Sequence, residues 1–168
     1  MNFTLTVPQP DDAAAFARVR LESWRAAYAG IFNSAVFAHQ EAEQQNRTEG
    51  YRYWFELLDD DGADAEPGTG AIRRARVAKD GSGKLVGIAT TRQLPGKVVE
   101  LNMLYVLPEV FGTGVGEGLL NAVVGKGPAT VEVLAANPRA IAFYRKHGFT
   151  ETGKTATFSG HKTLLMRR

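Results

Sequence analysis

Between two apolar runs, the stretch LYVLPEVFGTGVGEGLL, Leu104 to Leu120, places glycine at positions 112, 114, 116 and 118. Glycine loses more backbone freedom on folding than any other residue, so four of them together imply a compensating need. That need is a positive φ, a close approach of backbone to a ligand, or tight packing of a helix. A dinucleotide fingerprint would require the spacing GxGxxG, and the third glycine position is filled by Glu117 in one register and Leu119 in the other. A nucleotide-triphosphate loop would require a glycine followed by lysine and a hydroxyl residue, and no glycine here is. What remains is strand, glycine loop and helix start. Free backbone N–H groups at such a helix N-terminus suit an anion.

The chain around this segment has 168 residues, 44% of them hydrophobic, which suits one domain over 1–168 with a substantial core. Cysteine is absent, which excludes disulfides, thiolate nucleophiles and cysteine metal sites. His39, His147 and His161 form no metal-ligand spacing, so no metal is expected. No segment approaches the ~20 apolar residues of a membrane span, and the start MNFTLTVPQPDD lacks the basic-then-apolar order of a leader. A soluble, cytoplasmic protein with no membrane partner is expected. The net charge of +2 conceals an asymmetry, since residues 1–70 carry a net −7 and residues 71–168 a net +9. Either these are solvated faces, or the C-terminal half holds a polyanion while the N-terminal half faces something cationic. No arginine-rich run or basic stripe with interleaved aromatics is present, so nucleic acid is not expected as a partner.

The elements that would position the glycine loop can be followed along the chain. NFTLTVPQP alternates Phe3, Leu5 and Val7 and reads as a strand. DDAAAFARVRLESWRAAYAG reads as a helix closed at Gly30, and a second helix is expected over about Ala42 to Leu58. The acids, glycines and proline of residues 59–71 predict an exposed loop. AIRRARVAKD, KLVGIATTRQL and VVELNMLYVL follow as an antiparallel meander. Alternation in the last of these puts Glu100, Asn102 and Leu104 on one face and Leu101, Met103 and Tyr105 on the other. After the glycine-rich helix come the strand ATVEVLAA, the helix NPRAIAFYRKHGF and two final strands. The expected fold is α/β, with about seven strands, about four helices and one parallel strand pair around the glycine-following helix.

Two motifs in this order carry a family resemblance. LYVLPEVFGTGVGEGLL resembles the acyl-CoA loop of the GNAT N-acetyltransferase superfamily. In that loop Gln or Arg is followed by two residues, Gly, one residue, and Gly or Ala; Gly114 and Gly116 match the two small positions. NPRAIAFYRKHGF resembles the second signature of that superfamily through Asn137, Phe143, Tyr144, Gly148 and Phe149, and SWRAAYAGI is similar to its first-helix segment. The resemblance implies the GNAT fold, a mostly antiparallel sheet whose central parallel pair splays around acyl-CoA. It implies acetyl-CoA as co-substrate, held by Leu104, Tyr105, Val106, Phe111, Gly112, Thr113, Gly114, Val115, Gly116, Glu117, Asn137 and Tyr144. Gly118 falls inside the helix and suits close packing instead. The loop departs from the pattern at Phe111, where Gln or Arg is usual, and at Thr113, where Arg or Lys is common. Backbone N–H donors do not depend on those side chains, and other basic residues are expected to serve the remote phosphates.

The resemblance also implies acetyl transfer to an amine. An alkyl ammonium with pKa about 10.4 is not a nucleophile at pH 7, and freeing its lone pair costs roughly 4.6 kcal/mol. Glu100 and Glu132, each inside an otherwise apolar strand, are the candidate bases; they stand where different subgroups of the superfamily carry theirs. A backbone N–H of Tyr105 or Val106 is the implied donor to the carbonyl oxygen, and Tyr144 the implied acid for the departing thiolate. Trp24 and Tyr28 are expected to line the acceptor pocket, with 29–47 shaping it. The acceptor is expected to be a small-molecule or peptide amine, with a cationic one favoured by the acidic N-terminal half, and the protein a monomer or homodimer. The alternative is a non-catalytic or weakly active acyl-CoA-binding relative, with Phe111 marking lost or altered activity.

Overall fold

The structure, a computed structural model, describes residues 2–168. A strand β1 (Phe3–Thr6) leads into three helices, α1 (Ala13–Tyr28), α2 (Ser34–Ala42) and α3 (Gln44–Glu56). The strands β2 (Ala63–Ala65), β3 (Ile72–Asp80), β4 (Leu85–Gln93) and β5 (Val99–Val106) follow. The glycine segment opens α4 (Val115–Val124), after which come β6 (Ala129–Leu134), α5 (Pro138–Lys146), β7 (Thr150–Phe158) and β8 (His161–Arg167). Among the described residues no helix is long and apolar enough to cross a membrane.

One sheet runs in the order β1-β3-β4-β5-β6-β8-β7, with β2 added on β3. Every pairing is antiparallel except that of β5 with β6, which is parallel as expected around α4. This mostly antiparallel, mixed sheet with helices on its faces is the architecture that the family resemblance implied. The described residues form eight strands and five α-helices, close to the about seven and about four expected. The additions are β2 and α2, three and nine residues long, too short for periodicity to reveal. The second helix expected over about Ala42 to Leu58 is α3, and the added α2 ends just before it, at Glu43.

The segment 59–71 is not simply an exposed loop. Ala63 and Asp64 are buried, and Ala63–Ala65 pairs with Ile72, Arg73 and Arg74. The Asp64 carboxylate accepts from Trp54 Nε1 at 2.7 Å and is forked by Arg73, which compensates the cost of its burial. Related ion pairs join Asp12 to Lys79 and Glu66 to Arg92. The acids of the N-terminal half are thus in part neutralised by bases of the C-terminal half across the sheet. The charge asymmetry along the chain is smaller in space, through Asp12, Asp64 and Glu66.

Along β5 the simple alternation expected from the sequence fails. Thr90 pairs with Met103 but Thr91 pairs with Leu101, so Asn102 is an extra residue, a β-bulge. Residues opposite each other share a face, so the bulge places Leu101 on the face opposite Met103, and Glu100, opposite Arg92, with Met103 and Tyr105. The two faces are identified by their neighbours. Gly87, opposite Val106, meets Leu119 and Val115 of α4, whereas Tyr51 of α3 donates to Met103 Sδ at 3.9 Å. Leu101, Leu104 and Val106 therefore face α4; Glu100, Met103 and Tyr105 face α1 and α3.

The core lies on both sides of β4 and β5. Phe16, Val19 and Phe55 pack from α1 and α3, and Val115, Leu119, Leu120 and Val123 from α4. A Cβ at Gly118 would stand 3.1 Å from Phe3 and 3.4 Å from Leu5, which is the close helix-to-strand packing expected there. Leu119 is fully buried against the bare backbone of Gly87. Leu119→Ala is expected to lower unfolding free energy by about 2–5 kcal/mol. Urea titration should show a lower midpoint with an unchanged slope.

Candidate functional site

The parallel pairing of β5 and β6 covers only Val99–Leu101 and Ala129–Val131. Beyond that point the strands part, each held by its outer neighbour, β4 or β8. Alternate backbone polar groups of β5 after Leu101 therefore face a gap instead of a strand. The gap opens into a cleft of about 400 Å³ lined from the glycine loop, β5, β6, α5 and the first helix.

At one end is the glycine loop. Gly112 and Gly114 have φ of +76° and +91°, and a Cβ at either would meet no neighbour within 4 Å, so conformation and not crowding explains them. Gly114 is the N-cap of α4, and the first amide with a helical acceptor is that of Gly118, which donates to Gly114 at 2.9 Å. The amides of the preceding turn remain available at the positive end of the helix dipole. Gly112, Gly114, Gly116 and Glu117 line the cleft. Thr113 instead turns its hydroxyl back to the Val110 carbonyl at 2.7 Å, and Val115 is buried in the core.

Phe111 also lines the cleft, and the structure supplies what its side chain lacks. The Arg139 guanidinium, from the first turn of α5, lies 3.6 Å from the Phe111 ring centroid. Arg139 has no carboxylate within 4.0 Å among the described residues, so its charge is open to the cleft mouth. A cation over an aromatic face keeps its charge while gaining a fixed position. No sequence motif indicates this pair, because the two residues are 28 apart and meet only when α5 packs against the start of α4.

Midway along the cleft, Tyr28, Tyr105 and Tyr144 converge from α1, β5 and α5. Burial pushes all three phenols up from their ordinary value, with the neighbouring Asn137 side chain opposing the rise at Tyr28. Asn137 caps α5, accepting from the Ala140 amide at 3.1 Å, which leaves its NH₂ group available to the cleft it lines. Leu104 and Val106 line the same space from the α4 side of β5.

The two carboxylates are separated by the fold. Glu132 lines the cleft and accepts a short hydrogen bond from the buried Thr163 hydroxyl. Glu100 is exposed on the paired stretch of β5, beside Arg92, and does not line the cleft. Trp24 lies behind the wall, stacked on Phe32 at 4.9 Å and 96% buried, whereas Tyr28 lines the cleft. Cleft residues that the sequence did not single out include Ser23, Ala27, Arg139, Lys146 and His147. Ser23 and Ala27 precede Trp24 and Tyr28 by one position each at the same i, i+4 spacing, so helical phase is the signal that could have found them; of the expected pair Tyr28 reaches the cleft and Trp24 does not. Among the described residues no group of three His, Asp or Glu side chains could hold a metal ion.

A strand pair that parts beside a glycine loop opening a helix, with a capped helix closing the far side, defines a GNAT-type acyltransferase fold. The family model described as acetyltransferase (GNAT) family matches residues 35–149, and the chain belongs to that family. Among solved structures, the PaiA N-acetyltransferase of Thermoplasma acidophilum in complex with coenzyme A superposes with a TM-score of 0.74 at 20% identity. The match covers 100% of this chain and 99% of that one. YncA of Salmonella typhimurium, solved with acetyl-CoA, superposes with a TM-score of 0.65 at 18% identity, over 100% and 94%. These likenesses show the fold. A search of curated protein sequences finds no match.

Three phenols whose folded-state pKa is raised bind their protons more tightly in the folded than in the unfolded chain. Unfolding therefore releases protons once pH exceeds the ordinary phenol value of about 10. Stability is expected to be unaffected by these groups below that pH and to fall as pH rises above it. Denaturant midpoints taken across the alkaline range should decline, and Tyr144→Phe should decline less steeply than the parent.

Proposed function

We propose that this protein is a cytoplasmic N-acetyltransferase that moves the acetyl group of acetyl-CoA to a primary amine by direct attack on the thioester. The observation that carries the reading is one cleft joining the anion-binding loop at one end to a phenol cluster and a carboxylate at the other. When bound, acetyl-CoA supplies an activated acetyl group: a C–N bond forms to the amine, the C–S bond breaks, and the products are the N-acetyl compound and the CoA thiol.

The glycine loop fits a pyrophosphate, since its positive-φ backbone and the free amides of α4 need no side chain to bind an anion. Arg139, fixed over Phe111, provides the cation that the family pattern places at position 111 or 113. The unpaired edge of β5 and the Asn137 amide fit an extended chain carrying its own amides. Tyr144, a phenol that carries its proton at neutral pH and lines the cleft, can donate that proton to a departing thiolate. Glu132 takes the proton of the acceptor ammonium, with the Thr163 hydroxyl fixing the orientation of its carboxylate. Of the two candidate oxyanion donors, Tyr105 is in the same hydrogen-bonding phase with β4 as Leu107, whose N–H donates to Val86, so the N–H of Val106 is the one left to hold a carbonyl oxygen in the gap. Glu100, outside the cleft, stands opposite Arg92, whose guanidinium is taken by Glu66, and has no part in the reaction.

Acetyl-CoA turnover against a broad amine panel tests the activity. Tyr144→Phe and Glu132→Gln are each expected to lower kcat by about 10²–10⁴-fold, the span of general acid–base contributions, with little change in CoA affinity. Glu100→Gln should leave kcat within a few-fold. Arg139→Ala should weaken CoA binding by about 10-fold while pantetheine binding stays unchanged, since a lost charge-assisted contact costs about 1.5–3 kcal/mol. Binding of CoA with no amine acetylated would instead support a non-catalytic acyl-CoA-binding protein.

A further inference from the structure

Next to the wall that α1 gives the cleft, the charge is opposite to what the acidic N-terminal half suggested. Ser23 and Ala27 line the cleft, and Arg20, just outside the lining, lies on the same stripe of α1, at i, i+3 and i+7. Across from it, Arg47 lies one turn before Tyr51 of α3, the residue that reaches Met103 on the same face of β5 as Tyr105. Gln40, 93% buried, holds both arginines through a single oxygen: Arg20 donates to its Oε1 at 3.1 Å and Arg47 at 3.3 Å.

Neither Arg20 nor Arg47 has a carboxylate within 4.0 Å among the described residues. Both are only half exposed, and the Nε of Arg47 is buried with no acceptor. Ser23, 95% buried, likewise has a hydroxyl with no partner, on the cleft wall. Two cations brought together by one neutral amide repel each other and leave donors unspent, and groups of this kind are compensated by an anion. Burial raises the Tyr105 phenol, and both arginines oppose that rise, so their field reaches the cleft wall. Several acids of this half are engaged elsewhere, among them Glu22 with Arg18, Glu41 with Arg25 and Asp64 with Arg73.

We propose that the acceptor is an α-amino acid whose carboxylate is taken by Arg20 and Arg47, with the Ser23 hydroxyl as a further donor, so that its amine is presented toward Tyr105 and Glu132. The proposal rests on the N-acetyltransferase reading and narrows its acceptor from amines in general to those bearing a carboxylate. It replaces the cationic acceptor suggested by net charge along the chain. Gln40 is a positioning residue: it keeps the two guanidinium groups side by side without neutralising them.

The test compares kcat/KM for the standard L-amino acids, their primary amides, their decarboxylated amines and spermidine. Amino acids are expected to exceed their matched amides by roughly 10- to 100-fold, the worth of a charge-assisted pair. Arg20→Met should erase that ratio while leaving CoA affinity intact, and Arg20→Lys should retain part of it. Gln40→Glu, which places a carboxylate between the arginines, should also erase it without removing either cation. Circular dichroism confirms folding of each variant. Amides or spermidine acetylated as well as the amino acids, or a ratio unchanged in both Arg20→Met and Gln40→Glu, would overturn the proposal. Should no amine be acetylated, calorimetric titration of amino acids into the CoA-saturated protein decides it separately. Binding that Arg20→Met abolishes upholds the carboxylate site while the transferase reading fails; absence of binding sinks both.

Discussion

The constraint on which the rest depends is the short parallel pairing of β5 and β6. Three residue pairs hold the strands together at Val99–Leu101, and beyond them each strand is kept in place by an antiparallel partner on its outer side. A sheet interrupted in this way would ordinarily be penalised, because backbone amides that face a gap are unsatisfied. Here the gap is open to solvent and to an extended ligand. The bulge at Asn102 sits just where the strands separate, and a bulge bends its strand and increases local twist. It thereby turns β5 away from β6 and at the same time decides which side chains of β5 look toward α1.

Around that gap the chemistry is distributed by element. The loop before α4 contributes backbone donors, and α5 contributes a cap, a phenol and an arginine. The helix α1 and the strand β6 contribute the far end. The Phe111–Arg139 contact shows how a family position can be vacated and its charge supplied from a different helix: what an anion requires is a cation at a place, and the chain entry it comes from is immaterial. The same reasoning applies in reverse to the acids of residues 1–70. Several are consumed in ion pairs with strands β3 and β4, so the net charge of the segment says little about the field inside the cleft.

Local signals were legible in the sequence. The glycine loop, the Asn-Pro start of α5 and the alternating runs of the meander each follow from propensities acting over a few residues, and together they determined the fold class and the end of the cleft where an anion belongs. Gly118 was separable from Gly112 and Gly114 on position alone, and its closeness to Phe3 agrees with that reading.

Only the tertiary structure decided which carboxylate reaches the cleft and which charges surround it. Glu100 and Glu132 lie in similar apolar strands and share one face of the sheet, yet one stands on the paired stretch and the other beyond the split. The bulge at Asn102 has no glycine or proline to announce it, and it inverts the alternation of everything before it in β5. Arg20, Gln40 and Arg47 come from three helices, and Phe111 and Arg139 from a loop and a helix. Contacts of this kind arise from how elements pack, and packing depends on the shape of every neighbour at once; a single chain segment carries no record of it.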